Sequence, residues 1–129
     1  MNIKPLRVVF LATAVAVLAA CAQPVYNVKD APVSTNLQSP SLDDVTMAIR
    51  RAGASLGWQM KEQTPGHMVG TLNIRRHMAM VDITYNLREF SIQYRDSTNL
   101  DYDGTSIHRN YNGWIQNLEN AIKVQLTTL

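Results

Sequence analysis

The sequence predicts an α+β fold, a two-layer sandwich in the order αββββα, with a four-stranded antiparallel meander carrying two helices on one face. Three observations lead there. A capped run with helical spacing starts at Ser41, four short stretches between Trp58 and Arg95 alternate with period two, and a long helical stripe runs from Ile107 to Leu126.

The first helix is announced by Ser41-Leu42-Asp43-Asp44, a capping box with Asp in place of Glu and two acids in the first turn, where the helix dipole favours them. Leu42, Val45, Ile49, Ala52 and Leu56 then recur at helical spacing, Arg50 and Arg51 fall on the water side, and Gly57 supplies the stop. The first strand is Trp58-Gln59-Met60-Lys61-Glu62, closed by a turn at Thr64-Pro65-Gly66. Met68, Gly70, Leu72 and Ile74 share one face of the second strand; Ala79, Val81, Ile83 and Tyr85 share one face of the third; Phe90, Ile92 and Tyr94 do so in the fourth. Such alternation describes a sheet with one buried and one largely polar face, as in antiparallel meanders. Asp96 to Thr105 reads as a polar loop. The second helix then places Ile107, Tyr111, Trp114, Ile115, Leu118, Ile122 and Leu126 on one stripe, which is expected to cover the sheet.

Upstream of Ser41 the composition changes twice. Ala22 to Pro40 carries Pro24, Pro32 and Pro40 and no sustained apolar period, so residues 21–40 are expected as a flexible tether of up to about 60 Å, leaving 41–129 as the globular domain. Residues 1–20 have another character. Lys4 and Arg7 precede the uncharged run Val8 to Ala20, which is too short for the roughly 20 residues of a membrane span but suits a signal-peptide core. That run ends in Leu18-Ala19-Ala20-Cys21, which resembles a lipobox, the site where bacteria attach diacylglycerol to a cysteine thiol and cleave before it. Small residues suit the peptidase cleft, and only a thiol forms the thioether.

The resemblance implies a bacterial lipoprotein anchored through Cys21 by palmitate-type acyl chains. Ala22 is not the Asp that retains such proteins in the inner membrane, so the implied location is the outer membrane, facing the periplasm. The body also resembles a set of small proteobacterial lipoproteins. The residues concerned are Gly70-Thr71-Leu72, Arg76-His77-Met78-Ala79, Tyr94 to Leu100, and Ile107-His108 with Tyr111-Asn112-Gly113-Trp114. That likeness bears on fold and location, not on mechanism.

Composition narrows the chemistry. The chain holds 12 Lys and Arg against 10 Asp and Glu; loss of Lys4 and Arg7 with the signal leaves 10 of each, so no nucleic-acid binder is expected. Cys21 is the single cysteine, which excludes a disulfide within the chain. His67 and His77 stand at opposite ends of one strand, roughly 30 Å apart, and His108 stands alone at the second helix, so no His-based metal site is expected. Asn99-Leu100-Asp101-Tyr102-Asp103-Gly104 resembles the start of a calcium-binding EF-hand loop, but Asn110 stands where the bidentate Glu belongs.

No hydrolase elbow, zinc-protease motif or phosphate-cradling glycine loop is present, and neither Asp82 nor Glu62 has an evident acid/base partner, so neither catalysis nor a cofactor is expected. Trp58, Trp114, Tyr85, Phe90 and Tyr94 suit the core; loop residue Tyr102 is the exception. The expected role is a small periplasmic binding or structural module, held to the membrane by its lipid and meeting an envelope protein. The alternative is a small-ligand or ion-binding protein using Asp96, Asp101, Asp103, His108 and Arg109. In a meander the tip at Arg75-Arg76-His77 and the loop after Asp96 lie at one end of the sheet, so their opposite charges are expected to pair.

Overall fold

In the computed structural model, which describes residues 2–9 and 21–129, the elements follow the order β1 (Ala22–Pro24), β2 (Val28–Pro32), α1 (Leu42–Ser55), β3 (Gln59–Thr64), β4 (His67–Ile74), β5 (His77–Tyr85), β6 (Glu89–Thr98), β7 (Ser106–His108) and α2 (Arg109–Thr127). Most of the signal core expected over Val8 to Ala20 lies outside the described residues.

Helix α1 starts where its cap dictates. Ser41 Oγ accepts the Asp44 amide at 3.1 Å and the Asp44 carboxylate accepts the Ser41 amide at 2.9 Å, closing the capping box. These two bonds hold the Asp44 carboxyl below its ordinary value. The helix ends before Gly57, whose φ of +86° is the left-handed geometry that glycine adopts at least cost.

Strands β3 to β6 form the expected meander, every pair antiparallel. Met68 and Leu72 of β4, Ala79, Val81 and Ile83 of β5, and Phe90 and Ile92 of β6 are buried on one face. Val45, Ala48, Ile49 and Ala52 of α1 and Tyr111, Ile115, Leu118, Ile122 and Leu126 of α2 complete the same core. Both helices thus cover one side of the sheet, in two layers. A buried polar link ties them together. Thr46 Oγ1 donates to the Leu42 carbonyl at 3.0 Å, which leaves its lone pairs to accept the Tyr85 hydroxyl at 2.7 Å.

The stretch expected as a tether is where the fold departs from the sequence reading. Strand β2 extends the main sheet to five strands, in the order β2-β6-β5-β4-β3, and β1 pairs with β7 in a separate two-stranded sheet. Val28 and Ala31 are buried in the main core, with Val25, Tyr26 and Val33 packed against it. The period-two signal is missing because β2 carries a bulge: Val28 faces Ile92 and Ala31 faces Phe90, with Asp30 between them at φ +51°. Ser91 Oγ accepts the Asp30 amide at 3.0 Å and so holds that bulge. Pro32 is tolerated because β2 is the edge strand.

Candidate functional site

The N-terminal segment is fastened to the body within a few residues of Cys21. Ala22 pairs with His108, Gln23 with Ile107 and Pro24 with Ser106, and the Val25 amide donates to the Thr105 carbonyl at 3.0 Å. From α2, the buried Asn112 side chain accepts the Tyr26 amide and donates to the Pro24 carbonyl, both at 2.9 Å. The Tyr26 hydroxyl donates to the Glu119 carboxylate at 3.1 Å. Desolvation, then the hydrogen bond to Glu119 and its charge, push that phenol above its ordinary value. Cys21 itself is exposed at the start of this seam.

On the other side of β7, the His108 amide donates to the Leu100 carbonyl at 2.8 Å. Residues 100–108 therefore double back, with Asp101 and Gly104 at positive φ inside the loop and Asn99 at positive φ just before it. Its carboxylate has a local task. Asp103 Oδ1 accepts the Ser106 amide at 2.7 Å, the Thr105 amide at 2.9 Å and the Thr105 hydroxyl at 3.2 Å. The Ser106 and Thr105 amides keep this carboxyl below its ordinary value. The arrangement is an Asx-type turn, in which the oxygen is spent on backbone donors.

The expected charge pairing across the sheet end does not occur. Among the described residues the ion pairs are Arg50–Glu62, His67–Asp82, Arg95–Asp82 and Lys123–Glu119, and none joins Arg75, Arg76 or His77 to Asp96, Asp101 or Asp103. Hydrogen bonds to backbone carbonyls clamp the loop instead. His77 Nδ1–H donates to the Asn99 carbonyl at 2.7 Å, and Asn99 Nδ2 donates to the Arg76 carbonyl at 2.8 Å. The reason is geometric: at positive φ, Asn99 turns both its carbonyl and its side chain toward the β4–β5 tip.

His108 is not alone. It caps α2, its Nδ1 accepting the Asn110 amide at 3.2 Å, and its ring stacks on His77 with centroids 6.5 Å apart. Trp114 lies against the same His77, with ring centroids 6.2 Å apart, and is half-buried. Tyr102 stacks on Tyr94 at 3.9 Å, and Tyr94 meets Tyr111 edge-on at 5.7 Å. The Tyr111 hydroxyl is buried and has no hydrogen-bond partner among the described residues, and desolvation pushes its phenol far above the ordinary value.

Of the candidate residues, the structure gathers Cys21, His108 and Arg109 at one corner and adds Arg76, His77 and Trp114, whose approach depends on register. Asp96 sits on β6 and Asp103 in its own turn. Among the described residues, no three His, Cys, Asp or Glu side chains are placed to hold a metal ion. A shallow polar depression of about 430 Å³ beside the corner is lined by Gln23, Arg109, Asn110, Asn112, Gly113 and Trp114.

A second constellation escaped the sequence reading. Asp82, expected to lack a partner, accepts His67 Nε2 at 2.7 Å and Arg95 at 2.8 Å on the open face of the sheet. Partial burial pushes its carboxyl up, but the hydrogen bonds and charges of His67 and Arg95 outweigh that and leave it below its ordinary value. The signal is diagonal. Asp82 faces Val69 and Gln93, and its partners stand two residues beyond each, on the same face.

The chain finds no match among known protein families, curated proteins or solved structures. No helix among the described residues is long and apolar enough to cross a membrane.

Proposed function

We propose that the protein is a lipid-anchored component of the bacterial outer membrane, attached through Cys21, whose small α+β domain faces the periplasm as a binding or structural module for an envelope protein. One observation carries the reading: a lipobox-like Leu18-Ala19-Ala20-Cys21 closes a short apolar run, and the first strand starts at Ala22, the residue after the cysteine. Cleavage before Cys21 would therefore remove the leader and leave every described element whole. The ion-binding alternative, through Asp96, Asp101, Asp103, His108 and Arg109, is the weaker one, since Asp103 spends its carboxylate on its own turn.

Mass spectrometry of the mature N-terminus tests the proposal. Thioether-linked diacylglycerol on Cys21 is the expected result, with Cys21→Ser accumulating as unprocessed precursor and the wild-type protein co-fractionating with outer membranes. A free Cys21 thiol, or cleavage at another bond, would refute it.

A further inference from the structure

We infer that the corner around Cys21, carrying Arg76, His77, His108, Arg109 and Trp114, seats directly on phospholipid headgroups, so that the anchored domain holds one orientation on the bilayer. The inference rests on the lipid anchor proposed above.

The chain between Cys21 and the body has almost no slack. Nineteen unstructured residues would let the domain stand well away from the lipid, but β1 starts at Ala22 and Ala22 is opposite His108. The Cα atoms of Cys21 and Ala22 are about 3.8 Å apart, and an antiparallel partner adds about 5 Å. The polar layer of one leaflet is about 6 Å deep, half the difference between the whole bilayer and its hydrocarbon core. A domain fastened within three residues of its lipid has no length with which to clear that layer.

The rim has chemistry that suits the contact. Arg76 and Arg109 are exposed, and among the described residues neither takes part in an ion pair. Arginine forks pair with phosphate oxygens. Helix α2 starts at Arg109 with no acidic residue in its first turn, so its positive end points the same way. Trp114 presents a half-buried indole of the type that settles at membrane interfaces. Asp103 holds its own turn, and among the described residues no ion pair joins Asp96, Asp101 or Asp103 to Arg76 or Arg109. The polar depression between Gln23 and Trp114 offers room for a headgroup.

The test uses the mature lipoprotein in vesicles of phosphatidylethanolamine and phosphatidylglycerol containing a lipid with a nitroxide on its headgroup. Because lipidation consumes the Cys21 thiol, Asn110→Cys and Leu87→Cys each introduce one labelling site. Asn110 is on the rim, whereas Leu87 precedes β6, whose ten residues place it about 30 Å from the corner. A fluorophore at position 110 is expected to be quenched several-fold more than one at 87. Arg76→Glu with Arg109→Glu should narrow that difference while Cys21 stays lipidated by mass. Equal quenching at both positions on a lipidated chain overturns the seating alone, and unchanged quenching in the charge-reversed chain overturns the part assigned to the arginines. A Cys21 without lipid overturns the anchor and the seating together.

Discussion

Asp103 gathers three donors on one exposed carboxylate oxygen, and that geometry makes a prediction about acid. Its pKa is lowered from 3.8, so the charged form stabilises the fold wherever both states are ionised, above that value. The contribution disappears as pH falls through the lower folded value. Asp103→Asn keeps an accepting oxygen and removes the titration. Chemical denaturation followed from about pH 5 down to pH 2 is expected to show a shallower acid loss in Asp103→Asn than in wild type, with Asp103→Ala weaker at every pH. Identical slopes for wild type and Asp103→Asn would refute the turn assignment. Gly66 makes a harder claim. It has φ +84°, and a Cβ there would lie 2.7 Å from the Tyr85 carbonyl oxygen. Gly66→Ala is therefore expected to cost at least about 1–2 kcal/mol, read as a lowered denaturation midpoint. The turn at Gly66 was legible in the sequence, as was the Ser41 cap. The partners of Asp82 and His108 were not, because both depend on which strand residues face each other, and composition does not set register.

Legibility varies in the same way among the elements. Strands β4 and β5 and both helices show strict periods, because each presents one face to the core without interruption. Strand β2 hides behind its bulge: Val28 and Ala31 are three apart, a spacing that matches no strand template, and the neighbouring prolines read as tether. Its burial shows that it belongs to the folded unit. A chain starting at Ser41 would lose Val28, at about 1.5–3 kcal/mol, and would bare the β6 edge for pairing with other chains. Ala31, Val25, Tyr26 and Val33 add to that loss. Domains are stable by only about 5–15 kcal/mol. The fragment Ser41–Leu129 is accordingly expected to aggregate or to melt without cooperativity, whereas a chain from Ala22 melts in one transition. Equal midpoints for the two would return β1 and β2 to the status of a tether. On the opposite side of the core, Ile115 is fully buried, and Ile115→Ala is expected to cost about 2–5 kcal/mol.

For the whole molecule, the absence of slack between Cys21 and the core becomes a kinetic statement. Lys29 is the sole Lys or Arg between Cys21 and Arg50. If Cys21 carries the proposed lipid, a flexible tether would let trypsin cut there at once and release the domain from a vesicle. Here Lys29 lies inside β2, between buried Val28 and the Asp30 bulge that Ser91 holds. A protease must have this segment extended in its cleft, so β2 has to leave the sheet first, exposing Val28 and part of its neighbours. That local opening costs about 3 kcal/mol on the burial scale for a large aliphatic side chain, and each 1.4 kcal/mol is a factor of ten in population. When opening and reclosing are fast compared with cleavage, the rate follows the open population. Release from the membrane is then expected to be about a hundredfold slower than cleavage of the urea-unfolded chain. Ser91→Ala, which removes the bond at the bulge, should speed it up. Sedimentation of the vesicles after timed digestion measures both. Release as fast as in the unfolded chain, with Ser91→Ala indistinguishable from wild type, would mean that β2 does not protect Lys29.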